Sequence, residues 1–176
     1  MNAKQRKLAE GVLYTDMYEL TMAQLYFRMG MHEMKAHFEH FFRKYPDYGS
    51  HQAGYCINAG LEWFVDWLRD ACFGEAEIEC LQNQKQRSGK PMFDKDFLRW
   101  LQNQSLQEHF TIQAVPEGRV VHPNVPLTVV QGPLALAQIM ESSLLNRINF
   151  QTLIATKASR VREAGCRRMM IEFGLR

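Results

Sequence analysis

The sequence predicts an α+β fold in which a domain of helices and antiparallel strands precedes the start of an α/β domain. Helical and strand patterns alternate along the first hundred or so residues. Residues 109–133 are rich in β-formers and turn residues. Residues 134–163 read as helix and lead into the continuous apolar run MMIEFG. We therefore predict two domains, 1–133 and 134–176.

The first helix is predicted from YTDMYELTM (14–22), where Asp16 and Glu19 have the spacing of a capping pair. This helix carries two apolar stripes, although a small domain needs only one for its core. The first contains Met17, Leu20, Ala23 and Phe27, and the second, the Tyr18 stripe, contains Tyr18, Met22, Leu25 and Met29. The second stripe therefore requires an explanation.

The remaining elements follow in order. The segment KAHFEHFFRKYP (35–46) alternates like a strand, and YCINA predicts a second, short strand. Three helices are predicted from GLEWFVDWLRDACF, GEAEIECLQNQ and DKDFLRWLQNQ, with Asp94 as the N-cap of the third. Residues 109–133 predict a small antiparallel meander. Residues 134–163 predict one long helix or two in tandem.

The last segment, MMIEFG, has the pattern of a parallel strand that is buried on both faces. Such a strand needs neighbouring strands, and the sequence ends at Arg176 without any. We therefore expect a truncated chain that contains an N-terminal domain and only the first strand of a second, larger one.

Composition excludes several classes of protein. Apolar residues make up 46% and charged residues 23% of the 176 residues, as in ordinary globular proteins. A net charge of +2 is too small to indicate nucleic-acid binding. Four cysteines without a CxxC pair indicate a reducing compartment. Neither a secretory signal nor an apolar run of about 20 residues is present, so we expect a cytoplasmic protein that does not bind membranes.

Few residues suggest chemistry by themselves. His32, Glu33, His37 and His40 lack the spacing of a zinc site, and strand alternation places His37 and His40 on opposite faces. No Gly-rich phosphate loop or nucleophile elbow is present. We therefore predict no metal site and no catalytic residue from these patterns.

Lys157 and Arg160 lie three residues apart on the long helix. Such a pair is most often the solvated face of a helix. Two cations near the end of an apolar helix are also suited to holding a phosphate group, because both can make charge-assisted hydrogen bonds to its oxygens. Both interpretations stay open.

Four segments, taken together, resemble nicotinate phosphoribosyltransferase. They are YTDMYELTMAQLYFRMGMH, FEHFFRKYP, AVPEGRVVHPNVPLTVVQGPLALAQIMESSLLNRINFQTLIATKASR and IEFGLR. The resemblance covers nearly the whole chain in order and departs from the family at QKQRSGKPM. The family continues beyond EFGLR into an irregular α/β barrel, which implies that MMIEFG is the first strand of an incomplete barrel. It also implies synthesis of nicotinate mononucleotide and pyrophosphate from nicotinate and phosphoribosyl pyrophosphate for NAD synthesis, with coupled ATP hydrolysis and Mg²⁺.

The resemblance also implies a homodimer with active sites shared between chains. Tyr18 is implied to stack on the pyridine ring, with Phe173 on the opposite face. Arg176 follows at the C-terminal end of the predicted barrel strand, where a guanidinium can bind a carboxylate or phosphate through two hydrogen bonds. Arg43 is implied to reach the phosphates from the partner chain. The Tyr18 stripe would then face a second chain or the barrel. No catalytic residue is expected within these 176 residues.

Three alternatives stay open. The enzyme could be a nicotinamide or quinolinate relative, which these residues do not distinguish. The chain could be a catalytically inactive piece that only dimerises or binds. Tyr18 could instead belong to a two-sided core, since core aromatic residues outnumber ligand contacts.

Overall fold

Helices and short antiparallel strands alternate in the computed structural model, which describes residues 10–166 and 168–171. The helices are α1 (Met17–Arg28), α2 (Leu61–Asp70), α3 (Glu75–Gln82), α4 (Lys95–Gln102) and α5 (Leu134–Ala164). The strands are β1 (Lys35–His40), β2 (Cys56–Ile57), β3 (Thr111–Ala114), β4 (Val120–Val121) and β5 (Thr128–Pro133), and a 3₁₀ turn spans Leu106–Glu108. The predicted mixture of helices and antiparallel strands is confirmed.

The strands form two small antiparallel sheets. In the larger sheet β5 is central, with β1 on one side and β3 on the other. The strand β4 does not join them but pairs with β2. The predicted meander of residues 109–133 is therefore wrong in its connectivity, because periodicity identifies strands but not their partners.

The helix α5 is a single helix of 31 residues, which settles the choice between one helix and two. Its first half lies in the main core, where Ala135, Leu136 and Ile139 are completely buried. Leu20 of α1, Phe64 of α2 and Phe97 of α4 belong to the same cluster. In the described part of the chain, no helix is both long enough and apolar enough to span a membrane.

A buried polar contact joins α1 to α5. The side chain of Glu19 is completely buried, and its carboxylate accepts a hydrogen bond from Nε2 of Gln138. The same nitrogen lies 3.1 Å from a carboxylate oxygen of Glu141. The hydroxyl of Tyr26 donates to Oε1 of Gln138 at 3.4 Å. Both the nitrogen and the oxygen of the Gln138 amide therefore make hydrogen bonds at the contact between α1 and α5.

The predicted capping pair is wrong at the level of side chains. Asp16 does occupy the N-cap position of α1, but its carboxylate makes no capping hydrogen bond. It instead accepts a hydrogen bond from the hydroxyl of Ser142 on α5 at 3.2 Å. Glu19 points into the core, because Gln138 offers its carboxylate a donor there. Asp94 likewise occupies its predicted N-cap position, while its carboxylate pairs with Arg28.

The helix α2 begins where the backbone closely approaches α5. Gly60 has φ +103°, and a Cβ atom on it would lie 2.6 Å from the carbonyl oxygen of Arg147. A carboxylate oxygen of Glu117 accepts hydrogen bonds from the backbone N–H groups of Gly60, at 2.7 Å, and Glu62, at 3.2 Å. The glutamate of the PEG turn therefore caps α2, which gives this motif a structural role.

The predicted barrel strand lies largely outside the described residues, which end at Ile171. Met169, Met170 and Ile171 form no strand and are exposed. The predicted domain boundary at residue 133 stays a prediction.

Replacing Glu19 tests the contact between α1 and α5. We expect Glu19→Ala to lower the free energy of unfolding by about 2–4 kcal/mol, because it leaves a cavity and an unsatisfied donor on Gln138. Glu39→Ala is the matched control, since Glu39 is exposed on β1, and we expect a change within about 0.5 kcal/mol. Urea unfolding measures both. Equal stability losses for the two variants would contradict the buried contact.

Replacing Gly60 tests the close approach of α2 to α5. Gly60→Ala should lower the free energy of unfolding by about 2–4 kcal/mol, because it combines a left-handed backbone with a clash. The control is Gly30→Ala, since Gly30 has φ +69° with nothing near its Cβ position. That variant should lose only about 1 kcal/mol. Urea or thermal unfolding measures both variants. If Gly30→Ala lost as much free energy of unfolding as Gly60→Ala, the close packing of α2 against α5 would be contradicted.

Candidate functional site

The Tyr18 stripe lies on the surface. The exposed fractions of Tyr18, Leu25 and Met29 are 50%, 51% and 62%. Leu20 and Ala23 of the other stripe are buried in the core, while Met17 is exposed at its start. Tyr18 is therefore not a core tyrosine in this chain, and three of the four residues in its stripe are exposed.

Two open grooves meet along α5. The first, which we call the Tyr18 groove, is lined by Leu13, Tyr14, Thr15, Asp16, Tyr18, Ser142, Leu145, Asn146, Asn149, Phe150 and Leu153. The second, the Arg43 groove, includes Arg43, Lys44 and residues from the end of β1. Both grooves are lined by Leu145, Asn149 and Leu153. The fold thereby brings Tyr18 and Arg43, which are predicted to bind substrate, to the two sides of one helix face.

The Tyr18 groove is acidic next to its tyrosine. The neighbouring carboxylate of Glu19 raises the pKa of Tyr18, and partial burial and the charges of Glu141 and Asp16 raise it further. Burial raises the pKa of Glu141, and the neighbouring Glu19 adds to this effect, whereas Gln138 opposes it. The phenol is therefore neutral at physiological pH. An anionic ligand at this ring has to turn its charge away from the carboxylates.

A buried histidine lines the Arg43 groove. His40 is only 4% exposed, and its Nε2 lies 3.3 Å from Oδ1 of Asn149 on α5. Its other ring nitrogen, Nδ1, is buried without a hydrogen-bond partner. Burial lowers the pKa of His40, and the contact with Asn149 opposes that shift. His37 is exposed on the opposite face of β1, as the alternation predicts.

The cation pair on α5 lies elsewhere. Nη1 of Arg160 donates a hydrogen bond to the carbonyl oxygen of Ala53 at 2.6 Å. Its guanidinium carbon lies 5.5 Å from the ring centre of Tyr48. Lys157 is exposed, and neither residue lines the two grooves. The structure therefore gives Arg160 a role in holding the loop before β2, and phosphate binding by the pair stays a prediction.

Two predicted site residues, Phe173 and Arg176, lie outside the described residues. Within residues 10–166 and 168–171, no group of three or more histidine, cysteine or acidic side chains is arranged to hold a metal ion.

Sequence reasoning missed the contacts of two buried polar residues, Glu19 and His40, including the contact of His40 with the exposed Asn149. The sequence predicts Glu19 as half of a capping pair, and it predicts His40 as a strand residue without indicating a partner. Asn149 had no signal except its position within LLNRINFQTL. The alternation of β1 does place His40 on the inner face, and an inward polar residue in an apolar stripe signals a buried partner.

The fold and grooves define a domain that presents a tyrosine and an arginine on one exposed face. The family model for the nicotinate phosphoribosyltransferase (NAPRTase) N-terminal domain matches residues 13–149. A nicotinate phosphoribosyltransferase of Caenorhabditis elegans is 38% identical over 165 residues, which is 93% of this chain and 28% of that protein. One from Bacillus subtilis is 37% identical over 164 residues, covering 93% of this chain and 31% of the relative.

Solved structures agree with these relatives. The crystal structure of human nicotinic acid phosphoribosyltransferase superposes with a TM-score of 0.74 at 34% identity, covering 92% of this chain and 31% of that one. The chain belongs to the nicotinate phosphoribosyltransferase family. It spans about a third of the length of these relatives.

His40 predicts acid-sensitive stability. Because its pKa in the folded chain lies below the ordinary value of about 6.5, the unfolded chain takes up the proton first as pH falls. The free energy of unfolding should therefore fall as pH drops below about 6.5. Between pH 7.5 and pH 5.5, the free energy of unfolding measured in urea should fall less for His40→Gln than for the unmodified chain. His37→Gln, the exposed control on the same strand, should lose as much as the unmodified chain. If His40→Gln keeps the full acid sensitivity, His40 is not its source.

Proposed function

We propose that this chain forms the part of a nicotinate phosphoribosyltransferase that clamps the pyridine ring. The whole enzyme would make nicotinate mononucleotide and pyrophosphate from nicotinate and phosphoribosyl pyrophosphate in the cytoplasm, for NAD biosynthesis. The observation that carries this proposal is a half-exposed Tyr18 in a groove whose helix face continues to Arg43. Membership of the family supports the choice of reaction.

Tyr18 suits a flat aromatic acid. Its ring is exposed and neutral, since neighbouring carboxylates raise the pKa of its hydroxyl. Stacking of two aromatic rings contributes roughly 0.5–1.5 kcal/mol beyond the burial of area. Asp16 and Glu141 disfavour a carboxylate close to them, so the acid group of nicotinate points away from these two residues.

Arg43 suits the phosphate part of the reaction. A guanidinium can bind two phosphate oxygens at once and stabilises the charge that develops when pyrophosphate leaves. Lys44 lines the same groove and adds a second cation. Proximity and charge neutralisation are then the main contributions of this chain to the reaction.

A homodimer with a shared site fits the exposed apolar surface. Tyr18, Leu25 and Met29 are exposed on α1, and Phe150 and Ile154 on α5 are also more than half exposed. Apolar surfaces of this kind favour association with another surface. In this arrangement, Tyr18 and Arg43 act on a ligand held by the partner chain. Coupling to ATP and the use of Mg²⁺ stay proposals, and no step is assigned to them.

Nicotinate binding to the chain tests the role of Tyr18. We expect weak binding, in the millimolar range, when measured by saturation-transfer NMR on the ring protons of nicotinate. Tyr18→Phe should bind like the unmodified chain, because the ring is kept. Tyr18→Ala should bind about three- to tenfold more weakly, because stacking is lost.

Leu25→Ala is the matched control for this experiment. Leu25 is as exposed as Tyr18 on the same stripe but does not line the Tyr18 groove. Its substitution should leave the affinity unchanged. An equal loss in Leu25→Ala and Tyr18→Ala, or the absence of saturable binding, would contradict the proposal.

A further inference from the structure

The side-chain amide of Asn149 has a fixed direction. Its Oδ1 lies 3.3 Å from Nε2 of His40, so Nε2 carries the proton and donates to this oxygen. The amide nitrogen, Nδ2, is consequently directed away from His40. Asn149 itself is exposed, and no hydrogen bond from Nδ2 to any described residue is present. The result is an oriented, unused pair of N–H donors.

The donors lie where the two grooves meet. Asn149 lines both the Tyr18 groove and the Arg43 groove, flanked by Leu145 and Leu153 one turn to either side. A ligand that reaches from the tyrosine towards the arginine therefore crosses Asn149. Of the three residues that line both grooves, Asn149 is the polar one.

We propose that Asn149 binds an oxyanion of the substrate through Nδ2, and that His40 is the positioning residue that orients it. The inference rests on the proposed function and assigns two further residues to the same site. A neutral donor suits this place, because it binds an oxyanion without attracting the carboxylate of Glu141, which lines the Arg43 groove two turns away on α5, as strongly as a cation would. The oxyanion belongs either to the carboxylate of the aromatic acid or to a phosphoryl group.

Burial, rather than a neighbouring charge, is the largest cause of the lowered pKa of His40, although charged groups line the pockets around it. Glu39 lies on β1 itself, and Arg43 and Lys44 follow at its end. Glu141 faces the pocket beside His40 from α5, and the thiol of Cys56 faces the Arg43 groove from β2. The residue of β5 opposite His40 is the uncharged Thr128.

Protonation of His40 would add an N–H at Nδ1, which is buried and has no acceptor. A buried donor without a partner is costly, so the protonated ring leaves its place and Asn149 loses its orientation. Ligand binding that depends on Asn149 should therefore weaken in mild acid. A purely structural histidine would not couple pH to the affinity of the ligand.

The test uses the whole chain labelled with ¹⁵N in asparagine and arginine. Nicotinate and inorganic pyrophosphate are titrated separately, while the side-chain signals of Asn149 and Arg43 are followed. Asn103, at the end of α4 and outside both grooves, is the internal control. We expect one of the two probes to shift the Asn149 signal with saturation, which identifies the source of the oxyanion, and Asn103 to stay unchanged.

Variants then separate orientation from folding. Asn149→Ala should weaken binding of that probe about tenfold, the loss expected for one hydrogen bond to a charged group. His40→Leu should weaken it similarly, because the ring no longer orients the amide. His40→Gln keeps a donor towards Asn149, so it should bind the probe as tightly as the unmodified chain does at neutral pH. Its affinity should not weaken in mild acid as that of the unmodified chain does, because glutamine does not take up a proton.

The outcomes distinguish this inference from the proposed function. A shift of the Arg43 signal without a shift at Asn149 overturns the inference and leaves the proposed function in place. If neither nicotinate nor pyrophosphate shifts the signals of Asn149 and Arg43, the inference and the proposed function are both overturned for this chain. Equal affinity and equal pH dependence in the unmodified chain, His40→Leu and His40→Gln overturns the positioning role of His40.

Discussion

The buried hydrogen bond between Gln138 and Glu19 determines how the rest of the site is arranged. A carboxylate that is completely removed from water needs a donor, and Gln138 provides one from the most buried part of α5. This contact fixes the rotation of α1 about its own axis. Because Glu19 faces inward, Tyr18, the preceding residue, is turned towards the surface. The exposure of the tyrosine is thus a consequence of a polar contact in the core.

The helix α5 extends from the contact between Glu19 and Gln138 to the Arg43 groove. Its first half is packed between α1, α2 and the sheet, and its second half is increasingly exposed. Where it leaves the core, it meets the end of β1 through Asn149 and His40. The same helix turn approaches Gly60, whose lack of a side chain lets α2 pack closely. One rigid helix therefore sets the relative positions of the tyrosine, the asparagine and the strand that leads to Arg43.

Much of this arrangement could be predicted from local patterns, and the rest depends on partners distant in sequence. The positions of α1, β1 and the N-cap Asp94 follow from periodicity and capping preference. The Tyr18 stripe was visible as a surplus of apolar residues, and its exposure follows from that surplus. The inward turn of Glu19 was not predictable, because its partner lies 119 residues further along the chain. The pairing of β4 with β2 and the contact of His40 with Asn149 could not be predicted either, because these partners are also distant in sequence.

A crystal structure of the chain grown with nicotinate and pyrophosphate tests the central claim most directly. The claim is that α1 and α5 together present one ligand-binding face, held in place by the buried contact of Glu19. The account predicts a pyridine ring against the exposed face of Tyr18 and a phosphate group beside Arg43, with Glu19 still bonded to Gln138. Ligands bound away from both grooves, or a Tyr18 ring packed into the core of its own chain, would contradict it.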